Sequence, residues 1–292
     1  MTIAILGSKY PEHFSKYIQH VITKLQKEHV NIIVEEDFYS FLEKNIRFNK
    51  KVQTFSHHND LQENVNFLFS IGGDGTLLKA VTYVRKSEIP ILGINTGRLG
   101  FIASISANQI DEAINDLFKG NYTINERILL ELNTEKELFK DKNFALNEVA
   151  VVKKDTSSMI KIETFIDEEF LNTYWADGLV ISTPTGSTGY SLSCGGPIIM
   201  PGTNNIIITP NAPHNLNVRP IVIKDSSVIK LKVEDRDQLA LVSLDSRSRA
   251  FESSTELIIK KADFKIKLIQ PQNNSFTKTI RDKLMWGLDK RS

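Results

Sequence analysis

The fold of the first half of the chain is decided by one stretch, Phe67-Leu68-Phe69-Ser70-Ile71-Gly72-Gly73-Asp74-Gly75-Thr76. Its apolar first half is typical of a buried strand, and the glycine-rich turn that follows opens a helix predicted over 76–86. Further elements are predicted around it: strands at 3–7, 31–34 and 89–94, and a helix at 13–29. Strands alternating with helices indicate a parallel sheet covered by helices.

The hydrophobic pattern changes near residue 125. From Leu129 onward apolar and polar residues mostly alternate, as in 160–166 and 228–233, and polar clusters separate the apolar runs. This pattern predicts an all-β second domain, with a boundary at 120–128. A short helix is predicted late in the chain, over 277–288.

Composition excludes several classes of protein. The chain has 292 residues, and 36 Lys+Arg against 35 Asp+Glu leave a net charge of +1, which argues against a dedicated nucleic-acid coat protein. The single cysteine, Cys194, excludes a disulfide framework within the chain and a zinc site built on several cysteines. We find no signal peptide and no apolar stretch of about 18 residues, so we expect a cytoplasmic protein without a membrane partner.

The turn Gly72-Gly73-Asp74-Gly75 indicates a phosphate site. Glycines let main-chain N–H groups face an anion, and the following helix adds its positive N-terminal end. Asp74 then has two possible roles, to accept a proton from an attacking hydroxyl or to hold a Mg²⁺ that bridges phosphates. The structural alternative is that Asp74 only caps the helix. Lys79, about one turn into the helix, is either a phosphate-binding cation or a solvated surface residue.

Three further motifs carry polar chemistry. Residues 95–101 follow a strand and place two glycines at the ligand edge of an open sheet. The pair Asn147-Glu148 can bond an adenine edge and a ribose hydroxyl, although the pair alone is more typical of a strand-end turn. Residues 183–197 combine hydroxyls, glycines and Tyr190, a set that suits phosphate, ribose and ring stacking. The chain contains neither a P-loop nor the protein-kinase motifs.

Taken together, these motifs resemble those of the bacterial ATP-dependent NAD kinases. The resemblance extends over most of the chain and includes 72–76, 95–101, Asn147-Glu148, Asp177-Gly178, 183–197, Ala212-Pro213-His214, Arg219-Pro220, Asp245 and 284–287. The Gly-Gly-Asp-Gly turn alone is shared with lipid kinases and phosphofructokinases. The Asn-Glu pair with the Thr-Pro-Thr-Gly-Ser-Thr run is far more specific.

The resemblance implies an α/β N-terminal domain and an all-β, β-sandwich-like C-terminal domain. The first would comprise 1–125, with the tail 270–292 packing back on it, and the second, which binds NAD and forms the oligomer, 126–269. The implied reaction moves the γ-phosphate of ATP to the 2′-hydroxyl of the adenosine ribose of NAD, giving NADP and ADP. Mg²⁺ or another divalent metal would accompany ATP, and the partners would be NAD, ATP and further copies of the chain in a homodimer or homotetramer.

The resemblance also implies residue roles. Asp74 would accept the proton, Lys79 would lie near the phosphates, Asn147 would contact adenine and Glu148 the ribose. Asp177 and Ala212 would meet the nicotinamide end across a subunit interface. The full set of implied substrate-binding residues is Gly72, Gly73, Gly75, Lys79, Asn147, Glu148, Asp177, Thr185, Thr188, Gly189, Tyr190, Ser191, Leu192, Ser193, Ala212 and Asp245. No residue is assigned as a metal ligand.

The sequence departs from the family pattern at three places. The hairpin at 167–169 lacks a glycine, Ser246 follows Asp245 where glycine is common, and Lys79 replaces a frequent arginine.

Two other functions are alternatives to this one. A kinase for a lipid or sugar phosphate is one alternative, although no apolar groove or basic patch for a lipid is evident. A non-catalytic dinucleotide-binding protein is the other, and the retained Asp74 argues against it.

Overall fold

A computed structural model describes residues 1–61, 65–97, 99–103, 105–154, 158–235, 238–272 and 275–286. The chain divides into two compact units, which we call the α/β unit and the β unit. The α/β unit consists of Met1–Glu126 together with the chain from Ile266 onward, and the β unit consists of Arg127–Lys265. None of the described helices is both long and apolar enough to cross a lipid bilayer.

The elements are numbered in chain order over the described residues. The strands are β1 (Thr2–Gly7), β2 (Asn31–Glu35), β3 (Gln53–Phe55), β4 (Phe67–Ile71), β5 (Ile91–Ile94), β6 (Tyr122–Asn133), β7 (Phe144–Ala145), β8 (Glu148–Lys153), β9 (Ile160–Ile166), β10 (Glu169–Ala176), β11 (Gly178–Ser182), β12 (Asn205–Asn211), β13 (Ile221–Lys224), β14 (Ile229–Glu234), β15 (Leu239–Leu244), β16 (Arg247–Glu252) and β17 (Leu257–Pro271). The α-helices are α1 (Ser15–Lys27), α2 (Glu36–Leu42), α3 (Asp74–Val84), α4 (Ile110–Lys119), α5 (Tyr190–Ser193) and α6 (Phe276–Leu284).

Parallel strands form the centre of the α/β unit, in the spatial order β3-β2-β1-β4-β5. The chain runs outward from β1 to β2 and β3, and then returns to the opposite side of β1 as β4. The strand order therefore reverses between β1 and β4. In open α/β sheets, ligands bind beyond the carboxyl ends of the strands at such a point. Ser8 follows β1 there, and the turn 72–75 follows β4.

The core of the α/β unit forms because its strands are almost continuously apolar. Ile3 and Ile5 of β1 and Phe69 of β4 are fully buried, as expected for parallel strands covered on both faces. Helix α1 packs against this core through one apolar stripe with helical spacing, formed by Ile18, Val21, Ile22 and Leu25.

The β unit is built from two antiparallel sets of strands. One is a sheet in the order β13-β12-β11-β8-β15-β16, and the other contains β10, β9, β14 and the beginning of β17. A single apolar core joins the two sets, with Val149 and Leu179 from the first and Ile162 and Leu231 from the second. Two sheets around one core make this unit sandwich-like.

The α/β-plus-β fold class is confirmed, and the element bounds differ in detail. Helix α3 begins at Asp74, two residues before the predicted start, and α6 ends at Leu284 before the predicted end at 288. Gly287, which ends the 284–287 motif, Leu288 and Arg98 of the 95–101 motif lie outside the described residues. Helices α2, α4 and α5 were not predicted. The hairpin between β9 and β10 turns without glycine because Asp167 and Glu168 adopt positive φ angles of 51° and 67°.

The two units meet along the chain at 126/127 and 265/266. The boundaries expected from the sequence are 125/126 and 269/270. The second of them falls inside β17, a single strand that begins in the β unit and ends in the α/β unit. A continuous strand gives no break in hydrophobic pattern, so the sequence offers no feature that marks the crossing.

Candidate active site

The glycine turn after β4 is held in a compact form by small residues. Gly72 has a φ of +157°, and a Cβ there would lie 2.2 Å from Thr76 Oγ1 and 2.6 Å from Ser8 Oγ. These two hydroxyls bond each other at 3.0 Å. Gly73, the residue before α3, is extended and provides no side-chain cap to the helix. The first N–H groups of α3 are thus left without a side-chain cap at the carboxyl edge of the sheet, as a phosphate site requires.

Asp74 does not cap the helix that it begins. Its Oδ2 accepts the main-chain N–H of Phe101 at 2.9 Å, and its Oδ1 accepts those of Ile102 at 3.2 Å and Ala103 at 2.9 Å. The donors belong to the loop after β5, which the strand order places beside β4. Capping, the structural alternative, is therefore not how this carboxylate is used in the structure.

Asn95 organises the same loop and was not among the predicted site residues. Its side chain is buried, donates to the Ala103 carbonyl at 3.3 Å and accepts the N–H of Gly97 at 2.7 Å. The 95–101 motif indicated a functional loop, but nothing in it indicated which residue would fix the loop.

Lys79 lies on α3 and is paired with a buried carboxylate. Its Nζ is 2.9 Å from Glu35 Oε1, and its side chain is 43% exposed. Glu35, at the end of β2, also accepts the N–H of Phe38 at 2.9 Å and the hydroxyl of Tyr83 at 3.3 Å. Burial, followed by the charge of Glu35, raises the pKa of Tyr83 to about 12. Lys79 is thus a cation with a defined partner at the carboxyl edge of the sheet. Glu35 was not predicted.

In the β unit, the pair Asn147-Glu148 presents unsatisfied polar atoms. Among the described residues, Asn147 Oδ1 and Glu148 Oε2 are buried and have no hydrogen-bond partner. Buried polar atoms without partners are rare in folded proteins, so these two acceptors are candidates for donors from a ligand. Burial, followed by the charge of Asp245, raises the pKa of Glu148 to about 8. The N–H of Tyr190, which donates to the carboxylate, lowers this pKa in part.

Asp245 supports this pair from inside the protein. Its side chain is 3% exposed and accepts the main-chain N–H groups of Leu146 at 3.0 Å, Asn147 at 2.7 Å and Glu148 at 3.3 Å. Burial raises the pKa of Asp245, and the three N–H donors oppose this rise. The structure therefore places Asp245 behind the pair, where it orients the turn.

The run 183–197 packs directly on the same turn. A Cβ at Gly186 would lie 2.1 Å from the Asn147 carbonyl oxygen, and one at Gly189 would lie 3.0 Å from Glu148 Oε2. Thr183, which was not predicted, donates from its hydroxyl to the Leu146 carbonyl at 2.6 Å and accepts the N–H of Gly186 at 3.1 Å. Glycine is thus required at 186 because the two backbones approach too closely for any side chain.

The predicted residues of this run divide into inward and outward groups. Ser191 is fully buried and bonds Thr209 at 2.9 Å, and Thr185 is also buried. Tyr190 is 37% exposed, and its hydroxyl accepts from Asn211 Nδ2 at 2.9 Å, which fixes the ring at the surface. The remaining predicted residues of the run, Thr188, Gly189, Leu192 and Ser193, are half-buried or exposed.

Asp177 and Ala212 lie together between β10, β11 and β12. Asp177 donates its N–H to the Asn211 carbonyl at 3.0 Å, and its carboxylate is 2.6 Å from Lys153 Nζ. Ala212 has a φ of +46°, a left-handed conformation that costs a non-glycine residue energy and that clusters at ligand sites. Lys153 was not predicted, because a lysine at the end of a strand carries no signal of its own.

The described residues contain no group of three or more His, Cys, Asp or Glu side chains that could hold a metal ion. Around Asp74, main-chain N–H groups already take three acceptor positions of the carboxylate.

Comparison with known proteins agrees with this geometry. The ATP-NAD kinase N-terminal domain model matches residues 3–122, and the ATP-NAD kinase C-terminal domain model matches residues 146–271. The NAD kinase of Cytophaga hutchinsonii is 47% identical over 293 residues, and that of Flavobacterium psychrophilum is 49% identical over 294 residues. Each alignment covers 100% of both chains.

Two solved structures share the fold. Yeast NADH kinase complexed with NADH superposes with a TM-score of 0.88 over 99% of this chain and 89% of its own, at 24% identity. An NAD kinase from Archaeoglobus fulgidus in complex with ATP superposes with a TM-score of 0.74 over 97% and 99%, also at 24% identity. At this identity the superpositions show the fold, and the full-length sequence matches show the family. This chain belongs to the NAD kinase family.

Proposed function

We propose that the protein transfers the γ-phosphate of ATP to the 2′-hydroxyl of the adenosine ribose of NAD, giving NADP and ADP. The observation that carries the proposal, beyond family membership, is the buried and unpartnered pair of acceptors on Asn147 and Glu148. An amide oxygen accepts from the amino group of adenine, and a carboxylate accepts from ribose hydroxyls. Such a pair recognises an adenosine and leaves its phosphates free to be bound elsewhere.

Asp74 is the proton acceptor in this proposal. The hydrogen of the 2′-hydroxyl passes to its carboxylate, the ribose oxygen forms a bond to the γ-phosphorus, and the bond from that phosphorus to ADP breaks. A positioned base contributes about 10²–10⁴ in rate. The main-chain N–H donors on Asp74 support the role because they give the carboxylate a defined direction.

Phosphate binding falls to the turn and to the lysine of α3. Gly72, Gly73 and Gly75 leave the N-terminus of α3 open, and Lys79 supplies a cation whose position is fixed by Glu35. A Mg²⁺ or another divalent ion, carried by ATP, would neutralise charge on the phosphates when bound. No residue of this chain needs to hold that ion by itself.

The remaining predicted residues bind the dinucleotide in the β unit. Thr188, Gly189, Tyr190, Leu192 and Ser193 provide exposed or half-buried groups, and the exposed ring of Tyr190 suits stacking on a base or on nicotinamide. The buried residues Thr185, Ser191 and Asp245 act by holding this surface in place. Asp177 and Ala212 bind the nicotinamide end.

We assign the protein a homo-oligomeric state, a dimer or a tetramer, and a cytoplasmic location. Edge strand β10 supports the first assignment, because it exposes three large apolar side chains: Phe170, Leu171 and Trp175. Exposed apolar edge strands are otherwise an aggregation hazard, which a second copy removes. The single cysteine supports the second assignment, since no disulfide within the chain needs an oxidising compartment.

One assay tests the function against its alternatives. The protein is incubated with ATP, Mg²⁺ and NAD, and NADP is measured with a strictly NADP-specific dehydrogenase. Parallel reactions replace NAD with diacylglycerol, fructose 6-phosphate or NADH, and ATP with polyphosphate. Product from ATP with NAD and none from the lipid or sugar phosphate supports the proposal. Tight NAD binding without product would show a binding protein, and product only from another acceptor would show a different kinase.

A further inference from the structure

The carboxylate of Asp74 is surrounded by the loop at residues 100–103, which we call the Asp74 loop. Phe101, Ile102 and Ala103 donate their main-chain N–H groups to it at 2.9, 3.2 and 2.9 Å. The loop is closed on itself by the N–H of Gly100, which donates to the Ala103 carbonyl at 3.2 Å. Three donors of a closed loop thus fix both oxygens of one carboxylate.

Two glycines allow this close approach. A Cβ on Gly100 would lie 2.0 Å from Asp74 Oδ1, and a Cβ on Gly93 would lie 2.9 Å from the Cα of Ala103. Neither distance is compatible with a side chain, so any other residue at these positions must displace the loop. By contrast, the nearest atom to a Cβ on Gly97 is Asn95 Oδ1 at 4.0 Å. The glycines at 93 and 100 are therefore tied to the carboxylate, whereas the glycine at 97 has space around it.

The geometry also limits what Asp74 can bind. An ionised carboxylate has about four acceptor positions, two on each oxygen. Oδ1 uses its two for Ile102 and Ala103, and Oδ2 uses one for Phe101. One position on Oδ2 remains. A single position accepts one hydroxyl proton or forms one bond to a divalent ion, and it excludes chelation of such an ion through both oxygens.

We propose that the Asp74 loop is a positioning element of the transfer reaction, in which its three N–H donors direct the remaining acceptor position of Asp74 Oδ2 at the attacking hydroxyl. Gly100 is the positioning residue, because its lack of a side chain lets the loop reach the carboxylate. This inference rests on the proton-acceptor role of Asp74 in the proposed function. The contacts of the loop that carry this proposal are its three main-chain N–H bonds to Asp74.

The C-terminal helix braces the loop from outside. Lys283, near the end of α6, donates from its Nζ to the Leu99 carbonyl, and the same Nζ lies 5.4 Å from the centroid of the Phe101 ring. A cation at this distance from an aromatic ring is attracted to its face. Lys283 therefore holds the residue that donates to Oδ2 and gives a second way to perturb the loop, without adding atoms beside Asp74.

The decisive comparison is between two alanine substitutions in the same segment. Gly100→Ala should lower kcat by about 100-fold, the effect of displacing a reacting group by about 1 Å. KM for NAD and for ATP should change by less than about threefold, because the proposed effect is on the direction of the Asp74 carboxylate. The matched comparison, Gly97→Ala, adds the same methyl group where there is space for it and should lower kcat far less than Gly100→Ala does. If Gly100→Ala keeps kcat within about threefold of wild type, the proposal is wrong.

A milder variant guards against loss of folding in Gly100→Ala. Lys283→Met should lower kcat by at least about threefold with KM unchanged, whereas Lys278→Met on the same helix, which also removes one lysine, should have no effect. Equal kcat values for these two variants would contradict a role of Lys283 in holding the Asp74 loop.

Hydrogen exchange tests the contact without any substrate. In the wild-type protein the amides of Phe101 and Ala103 should exchange at least about tenfold more slowly than in Asp74→Ala. The amide of Ile105, which donates to the Gly93 carbonyl at 3.2 Å, should exchange equally in both. Equal exchange at 101 and 103 would overturn the proposal even if the protein makes NADP. Absence of NADP formation by the wild-type protein would instead reject the proposed function while leaving the loop contact established.

Discussion

The Oδ1 atom of Asp245 accepts the main-chain N–H of Asn147 at 2.7 Å, although 98 positions separate the two residues along the chain. The neighbouring N–H groups of Leu146 and Glu148 donate to the same buried carboxylate. In return, the N–H of Asp245 donates to the Glu148 carbonyl at 3.0 Å. Asp245 thus both accepts from and donates to the turn that carries Asn147 and Glu148, the pair to which our proposal assigns adenosine.

Asp245→Asn should destabilise the protein and weaken NAD binding together. Asparagine tolerates the φ of +53° at this position, so the change isolates the loss of acceptors. Its amide leaves at least one buried N–H unpaired, at a cost of about 1–3 kcal/mol in the free energy of unfolding. Urea unfolding and KM for NAD measure the two effects, and Ser246→Ala is the control at an exposed neighbour. Lower stability with an unchanged KM would mean that the turn does not serve recognition.

Asp74→Asn should abolish most turnover and leave NAD affinity nearly unchanged. The amide cannot take up the hydroxyl proton, and its NH₂ group opposes one of the three N–H donors of the Asp74 loop. We expect kcat to fall by about 10²–10⁴. Single-turnover NADP formation gives the rate, and calorimetric titration with NAD gives the affinity. Near-full turnover in this variant would rule out Asp74 as the proton acceptor.

Glu148→Gln should stabilise the folded protein, increasingly so as the pH rises. Glu148 keeps its proton up to about pH 8 in the folded protein because its pKa is raised to about 8, whereas the reference value is 4.5. The folded state therefore binds more protons than the unfolded state between these values, and the free energy of unfolding falls as the pH rises through them. Glutamine removes this loss, which is on the order of a few kcal/mol above about pH 8.

Thermal unfolding across the pH range checks this prediction. The Tm of Glu148→Gln relative to wild type should increase from about pH 5 to about pH 8 and then level off. The same variant should bind NAD more weakly above about pH 8, where the wild-type side chain is an ionised acceptor for the ribose hydroxyls and the amide is neutral. Glu135→Gln controls for the loss of an exposed carboxylate. A Tm difference that stays constant or shrinks with rising pH would contradict a proton held on Glu148.

Lys79→Met should raise KM for ATP by about 10-fold or more and leave KM for NAD unchanged. A hydrogen bond to a charged group is worth about 1.5–3 kcal/mol, and the lost cation is one that binds phosphate in our proposal. Lys79→Arg should retain most affinity. Lys86→Met, which removes a cation beyond the end of α3, controls for net charge. A lower Tm with unchanged KM for ATP would show that Lys79 serves only as the partner of Glu35.

Mixing two inactive variants tests whether subunits share a site. Asp177→Ala removes the carboxylate assigned to the nicotinamide end, and Asp74→Asn removes the proton acceptor. If Asp177 serves the site of a neighbouring subunit, mixed oligomers contain some sites with both residues intact and should recover part of the activity. Subunit exchange is verified first with two differently tagged proteins. No recovery after verified exchange would count against a shared site.

The strands of the α/β unit could be predicted because each is marked by apolar residues that are consecutive in the sequence. The sheet contains short apolar strands at β1, β2 and β4, which is the pattern of strands covered on both faces. The glycine turn directly after β4 is typical of a phosphate site between a strand and a helix. Helix α4 was missed although Ile110, Ala113, Ile114 and Leu117 have helical spacing. The helical spacing of apolar residues was therefore present in the sequence, although no helix was predicted there.

The contacts that orient the site could not be predicted from the sequence. The donors to Asp74 are main-chain N–H groups 27 to 29 positions away, and every non-proline residue carries such a group. The pairing of Lys79 with Glu35 spans 44 positions and depends on the neighbouring placement of α3 and β2. Side chains that meet ligands form recognisable motifs, whereas the groups that hold those side chains are set by tertiary structure.

The long strand β17 has a consequence for the synthesis of the protein on the ribosome. Leu268 pairs with Ile91, so the strand that flanks β5 is synthesised long after β5 itself. Until β17 emerges from the exit tunnel, the edge of β5 stays open on a nascent polypeptide whose earlier strands can already assemble. Open edges invite pairing with other chains. Translation of β17 therefore closes the sheet of the α/β unit, and ribosomes that stall before it should release an aggregation-prone product.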